Sequence, residues 1–572
     1  MSTQRFDGQK AWARTVPAAS FGVNKKETDL RVTFVAMSYE SLAVSQLSAV
    51  AKAAGHQVSL AFTPSLFDDC LHMSMPSIAK FFDETGAVLK KIEDLKPDVI
   101  AFSPLSGMYQ WALKISCQAK LRCPRVKIVF GGIHASAEPG RVIKQPQIDY
   151  ICIGEGDLAF LKILEHIRRG GEDPVANTWY KTGSGQVIRG EQAGFIQNLD
   201  QLPIPDKTLW EEYLPNNDFY ITSAMRGCPN RCAYCFNSFY PDLARGNPGN
   251  YLRRRSPAHL MRELRVYKKR YRFRVVEFFD DVFTIDVRWL KEFARLYRRD
   301  IGVPYQIFTH VKYIDEERAC LLAESGCVAA QMGMQSLDDE YKRRVLNRNE
   351  STEDAGWAID LLNRYGVKPK MDHMLGLPGE PIEAQEKAAR FYAEHKPYRI
   401  QTYWTNYFPG TKLLRQAEAD GSLTSEEADR LKDGFDMDTF TRANKMIDEK
   451  KIKIYRACEL LYKLLPSLPY AMRKRLSYKQ VSWMPRPLLF FFAFFSDMLI
   501  GLSKLDRDHV SYAKTYLYWI GRHIFQRTGI PFLPATRIYD RAAVDFYPFE
   551  KGKQEAERQC GQLASIKREE GR

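Results

Sequence analysis

Residues Met1–Val16 contain no apolar run, so no export signal is expected. Cysteine is sparse for so long a chain. Of eleven, only three stand close together, while Cys117, Cys152, Cys327 and Cys458 sit singly in apolar segments, as core thiols do. A disulfide framework is therefore not expected, and a reducing cytoplasm is. Lys and Arg outnumber Asp and Glu, 84 to 69, but they form no dense stripe and no recognisable RNA-binding module. Nucleic acid is not expected as a partner, which leaves anionic lipid or an acidic substrate to answer the net charge of +15. Long hydrophobic runs are also missing, except between Leu488 and Leu502. Pro485 and Pro487 before that run, and Ser496-Asp497 breaking it, predict that it falls short of a membrane-spanning helix. The rest is ordinary: 45% hydrophobic and 27% charged residues describe a globular chain, and 572 residues are too many for one core.

The three close cysteines are Cys228, Cys232 and Cys235, in Arg226-Gly227-Cys228-Pro229-Asn230-Arg231-Cys232-Ala233-Tyr234-Cys235. Three thiolates at C-x3-C-x2-C spacing can bind three irons of a [4Fe–4S] cluster and leave the fourth open to chelate a small molecule. A cluster with four Cys ligands only passes electrons. Zinc asks for four ligands, usually from C-x2-C pairs, and no fourth Cys or His stands at a suitable distance. An apolar strand precedes the loop, and an aromatic residue precedes the third cysteine. The segment closely resembles the signature of the radical S-adenosylmethionine (SAM) enzymes.

Upstream, residues 30–170 alternate short apolar strands with helical stretches. Strands are expected at Arg31–Ala36, Gln57–Phe62, Asp98–Ser103, Val126–Phe130 and Tyr150–Ile153, with a helix over Ser41–Ala54. This alternation predicts a doubly wound parallel sheet, whose ligands bind beyond the carboxyl ends of the strands. The loops there are rich in glycine: Ser103–Gly107, Gly131-Gly132-Ile133-His134-Ala135 and Gly154-Glu155-Gly156. The segment resembles the cobalamin-binding domain found ahead of a subset of radical SAM cores. That resemblance implies cofactor contacts at Ser103, Gly131, Gly132, His134, Gly154 and Glu155. The D-x-H-x-x-G element that supplies a cobalt ligand in classical B12 enzymes is absent. His134 is accordingly expected to meet the nucleotide tail or to serve the loop, not to bind cobalt.

A polar linker is expected over 171–218, with Gln201–Asp206 resembling the lead-in to the core in this group. Over 219–421 the strand–helix alternation resumes, as in a partial (β/α)6 barrel whose site lies at the carboxyl ends of its strands. The resemblance implies further SAM contacts. Asp280 and Asp281 end the second strand and suit the SAM ammonium. Gln335, in Gly333-Met334-Gln335-Ser336, can exchange hydrogen bonds with ribose hydroxyls. Arg348 is a candidate for the SAM carboxylate. Gly376, in Gly376-Leu377-Pro378-Gly379-Glu380, would admit the adenine to the backbone.

A helical region is expected over 422–572, and 1–29 is an N-terminal extension. Two readings of the apolar, base-flanked stretch near Leu488 stay open: a core helix, or a surface for an anionic membrane or greasy substrate. The Tyr- and Trp-rich segment Tyr512–Phe525 allows the same two. The resemblance thus implies an α/β enzyme that uses a [4Fe–4S] cluster, SAM and cobalamin, with a flavodoxin or ferredoxin as electron donor. The leading activity is methylation of an unactivated carbon of a small, hydrophobic molecule such as a lipid or tetrapyrrole. Oxidative ring closure is the alternative, since the anaerobic cyclases of bacteriochlorophyll synthesis share the domain order. Methylthiolation of tRNA would need a second cysteine cluster, and Cys70, Cys117 and Cys123 lack the arrangement. A cobalamin sensor would not need the intact triad.

Overall fold

The computed structural model describes residues 29–69, 74–213, 218–244, 249–437, 449–504, 506–528, 538–539 and 544. The N-terminal extension (save residue 29), Cys70 and the charged stretch 551–572 lie outside them.

Five strands form the parallel part of the first sheet: β1 (Arg31–Met37), β2 (Gln57–Thr63), β3 (Val99–Phe102), β4 (Lys127–Phe130) and β5 (Tyr150–Cys152), in the order β2-β1-β3-β4-β5. Their side chains are buried on both faces, Phe34 and Val99 in one core and Ile100 and Phe130 in the other. Short, continuously apolar strands are what such two-sided burial demands. The expected linker departs from its reading. Thr178–Lys181 (β6) and Val187–Arg189 (β7) pair antiparallel and extend the same sheet beyond β5. Tyr180 stacks on Tyr150 at 5.4 Å, which anchors a hairpin too short to show a period in sequence. The end of the linker is a staple: the Asp206 carboxylate accepts from Ser48 on helix α1 (Leu42–Ala53), and the Tyr267 hydroxyl donates to Pro205 O.

The second sheet holds six parallel strands in sequential order: β8 (Phe219–Thr222), β9 (Val275–Phe278), β10 (Tyr305–Thr309), β11 (Cys327–Gln335), β12 (Lys368–Leu375) and β13 (Arg399–Trp404). β8 and β13 do not pair, so the barrel is open between them. Val276, Phe278, Ile307, Met332 and Ile400 face the surrounding helices in the main core. The register places the alternate residues Glu277, Gln306, Gln331, Lys370, Asp372 and Arg399 on the opposite, lumenal side.

Helices α2 (Glu449–Leu464), α3 (Arg486–Ser503) and α4 (Arg507–Thr528) follow; α2 packs along β13, with Arg456 over Trp404 at its carboxyl end, while α3 and α4 carry carboxylates to the amino ends of the barrel strands. Asp508 accepts from Gln306 at 3.1 Å and pairs with Lys370, while Asp497 pairs with Arg399 at 3.0 Å. The apolar run is therefore not broken at Ser496-Asp497. Arg399, Lys463 and His509 surround the Asp497 carboxylate and let one helix run through it. Pro487 sits in the first turn, where a missing N–H costs nothing. Contrary to the expectation drawn from these residues, α3 is long and apolar enough to cross a membrane, the one such helix among the described residues. α4 settles the reading of the Tyr/Trp-rich segment toward packing: Trp519 enters the core of the first sheet, and Tyr516 donates to Asp69 at 2.7 Å.

His509 lies between Asp497 and Asp506, with Arg399 nearby. Burial alone would lower its pKa, but the Asp497 carboxylate 3.6 Å away and the hydrogen-bonded Asp506 raise it above the usual 6.5. A raised imidazole stabilises the fold fully below the unfolded value and less as pH climbs through the folded one. Thermal melts above pH 6.5 should show a decline that His509→Gln removes. Equal slopes in the two proteins would mean that His509 is not charged in the fold.

Candidate functional site

The cysteine loop follows β8. Met225-Arg226 pairs antiparallel with Arg253-Arg254, and Gly227 then turns the chain at φ +92°. A Cβ on Gly227 would lie 2.3 Å from Tyr251 O, so no other residue fits. Each sulfur of the triad receives an N–H: Asn230 N donates to Cys228 Sγ at 3.5 Å, Arg348 Nη1 to Cys232 Sγ at 3.6 Å, and Asn237 Nδ2 to Cys235 Sγ at 3.6 Å. Burial pushes the free Cys228 and Cys235 thiols up to about 12, so a bound cation is needed to hold them as thiolates. Among the described residues no three His, Cys, Asp or Glu side chains converge on a single-ion site. Three N–H-supported sulfurs that do not close on one ion suit a multi-iron cluster better than a zinc.

The candidate SAM residues separate into two groups. Asp281 is open to the space beside the sulfurs, where burial raises its carboxyl and Asn237 bonds it. Asp280 points the other way. It is buried, accepts from Ala224 N at 3.0 and 3.1 Å, and is pushed up to about 7 by burial, so it braces the turn after β8 and does not reach a ligand. Arg348 also departs from the expectation. Its guanidinium spends four of its five N–H groups on Gly333 O, Tyr234 OH, Glu350 and Cys232, so it braces the cysteine loop and is not aimed at a SAM carboxylate. Gln335 sits at a bulge with φ +65°, a strained position for a side chain, and folds back over Gly333. Gly376 takes φ +75° directly after β12. Beyond it Glu380, which the sequence reading passed over, accepts from Ser336 and Gln385 and ties the ends of β11 and β12 together.

Asp281→Asn should weaken SAM binding by roughly tenfold or more, the worth of a charge-assisted hydrogen bond, without lowering the melting temperature. Asp280→Asn should do the reverse. Equilibrium binding of SAM and a melt on each variant check the assignment.

A lumenal layer below the loop was also missed. Gln331 Nε2 donates to Asp372 at 2.8 Å, and Tyr403 hydrogen-bonds the same carboxyl, which burial raises to about 7. Only the strand register shows that these residues share a face. A period-2 reading of β11, β12 and β13 puts each of them on its strand's polar side but does not bring them to one level.

On the first sheet, Ser103, Gly131, Gly132 and Gly154 line the carboxyl edge as expected. Gly132 takes φ +81°, and a Cβ there would meet Ser103 Oγ at 2.8 Å. The His134 ring is buried, stacked on Tyr109 at 3.9 Å, with Nδ1 bonded to Ser106 at 3.1 Å; burial depresses it to about 3. Its Nε2 and the Tyr109 hydroxyl are buried without a partner. Bare glycine loops beside two orphaned polar atoms fit a bulky polar ligand such as cobalamin. Glu155 does not belong with them: it accepts from Ile196 N and pairs with Arg226 and Arg253, so it bridges the two halves. Asp157 holds Arg226 as well, at 2.6 Å. These ion pairs set the cysteine loop against the carboxyl edge of the first sheet.

Known proteins agree with this arrangement. Residues 222–392 match the radical SAM superfamily, and residues 30–164 match the B12 binding domain. Similar proteins include an uncharacterized methyltransferase of Pyrococcus horikoshii, 24% identical over 60% of this chain and 73% of that one. The anaerobic magnesium-protoporphyrin IX monomethyl ester cyclase of Rubrivivax gelatinosus is 26% identical over 63% of this chain and 64% of its own. Among solved structures, the cobalamin-dependent SAM radical enzyme OxsB, with aqua-cobalamin and SAM bound, shares the fold at TM-score 0.60 and 14% identity, covering 90% of this chain and 77% of that one. The radical SAM methyltransferase TsrM of Kitasatospora setae does so at TM-score 0.54 and 16% identity, over 69% of this chain and 76% of that one. The chain belongs to the radical SAM enzymes that carry a B12-binding domain, with a [4Fe–4S] cluster, SAM and cobalamin as their cofactors.

Proposed function

We propose that the chain methylates an unactivated carbon of a small molecule held between the cysteine loop and the carboxyl edge of the first sheet. The observation that carries the proposal is the set of ion pairs from Glu155 and Asp157 to Arg226 and Arg253, which turn the two edges toward each other. When bound, the cluster and SAM supply a hydrogen-abstracting radical, and cobalamin supplies the methyl group. The residues do the holding. Cys228, Cys232 and Cys235 would ligate the cluster, Asp281 would accept from the SAM ammonium, and Gln335 and Gly376 would border the nucleoside. Ser103, Gly131, Gly132, Gly154 and His134 would cradle the corrin ligand. A flavodoxin or ferredoxin would deliver electrons.

The charged contacts of α3 and α4, through Asp497 and Asp508, lie at the amino ends of the barrel strands, away from this site. That placement gives a lipid or tetrapyrrole substrate little support from the C-terminal region. The layer of Gln331, Asp372 and Tyr403 supports a substrate with hydroxyl or amine groups instead. The similarity to the Rubrivivax cyclase favours a second reading, oxidative ring closure.

The test incubates reconstituted protein, cobalamin and a strong reductant with SAM carrying a trideuterated methyl group. Labelled methylcobalamin with S-adenosylhomocysteine, alongside 5′-deoxyadenosine, supports methyl transfer. 5′-Deoxyadenosine alone would hand the lead to the cyclase reading.

A further inference from the structure

We propose that the outer face of α3, with the basic residues around it, docks on an anionic lipid surface. The inference is independent of the methyl-transfer reading.

The helix has two apolar faces. Leu489, Ala493 and Gly501 are buried inward. Leu488, Phe491, Phe492 and Leu499 are exposed outward, at 45%, 49%, 44% and 61%. The spacing i, i+3, i+4, i+11 puts these four on one stripe along the helix. Trp483, 74% exposed, stands just before it. Large exposed side chains gathered on one stripe mark a surface that something else covers.

Charge identifies the occupant. From Leu465 to Asp508 the chain carries three acidic residues, Asp497, Asp506 and Asp508, and all three turn inward. Asp497 pairs with Arg399, Asp506 with His509, and Asp508 with Lys370. Of the cations in the same stretch Arg473 is buried, but the rest stay outside: Lys474, Arg475, Arg486 and Lys479, which pairs with Glu386, are exposed before the stripe, and Lys504 and Arg507 after it. An apolar stripe with a rim of one sign is the pattern of an interfacial helix on an anionic membrane. A second copy of this chain is disfavoured, since a two-fold contact would set each positive rim against the other. Spanning is excluded by the inward pairing of Asp497, which ties the middle of α3 to the barrel. The helix therefore lies flat, with Trp483 at headgroup depth.

The experiment uses the full chain with its cofactors and two kinds of vesicle, pure phosphatidylcholine and phosphatidylcholine with about a third phosphatidylglycerol. Co-sedimentation is expected with the anionic vesicles only, and should be lost when salt shortens the screening length to about 3 Å near 1 M. Phe491→Ser with Phe492→Ser, and separately Lys474→Gln with Arg475→Gln, should each weaken binding about tenfold or more. Both pairs are exposed, so the melting temperature and bound cobalamin serve as controls and should not move. Failure to sediment, equal binding to neutral vesicles, or binding unchanged in both variants overturns the proposal. So does concentration-dependent self-association that the double serine variant abolishes, which would assign the face to a second copy.

Discussion

Cys232→Ala is expected to eliminate iron–sulfur absorbance and all formation of 5′-deoxyadenosine from SAM, while cobalamin remains bound. Cys232 is the buried member of the triad and the one that faces the Arg348 guanidinium at 3.6 Å. Two sulfurs cannot fix a cluster that needs three protein ligands, so the loss should be complete, not graded. The cobalamin loops belong to the other sheet, and none of Ser103, Gly132 or His134 contacts the triad, so their ligand should stay. Iron content, the visible spectrum and bound cobalamin, measured on one preparation, give three independent readouts. Full SAM cleavage in this variant would refute the assignment of the triad, whatever the cobalamin does.

Arg348→Met should be nearly as severe, for a different reason. The guanidinium is buried and makes four contacts: 2.7 Å to Gly333 O, 2.8 Å to Tyr234 OH, 2.5 Å to Glu350 and 3.6 Å to Cys232. Burial would raise the Glu350 carboxyl, but His310 and Arg348 hold it at about 2. Without Arg348 that buried carboxylate keeps His310, 3.4 Å away, and the charge of Lys342, and removing one partner of a buried ion pair costs about 3–5 kcal/mol. The Cys232 thiolate loses its neighbouring positive charge in the same step. The expected result is a markedly lower denaturation midpoint together with poor iron incorporation. Arg348→Lys keeps the charge but not the fork, so it should recover part of the stability and little of the iron. A variant that melts like the parent and loads iron fully would show that Arg348 is dispensable.

How far the sequence reveals this molecule depends on how local each signal is. The cysteine spacing, the glycine loops and the apolar strands are written in runs of ten residues or fewer, and the structure follows them closely. The hairpin β6–β7 was not legible, because three- and four-residue strands show no period. Asp280 and Asp281 are neighbours of the same type, yet in the turn beyond β9 one side chain goes into the turn after β8 and the other toward the sulfurs. Arg348 stood as a candidate for the SAM carboxylate, because nothing local shows that Gly333, Tyr234 and Glu350 converge on it. The lumenal pairing of Gln331 with Asp372 spans 41 residues and depends on the register of β11 and β12. Long-range pairing is where sequence reading stops, since any carboxylate there has many formal partners and only the fold selects one.

The attachment of α4 to both halves has a consequence for the order in which the protein is made. Asp508 fills the base of the barrel from 138 residues beyond Lys370, and Tyr516 reaches Asp69 across 447 residues. As the polypeptide emerges from the ribosome, Phe62 of the first sheet, already against Trp210 and Tyr213, must wait for its last aromatic cover until Trp519 arrives to pack 5.9 Å from it. Contacts of such separation form slowly, and until they form the chain exposes apolar surface that invites aggregation. Fragments ending before residue 507 should therefore depend on chaperones far more than the complete chain, even though both sheets and the cysteine loop are already encoded in them.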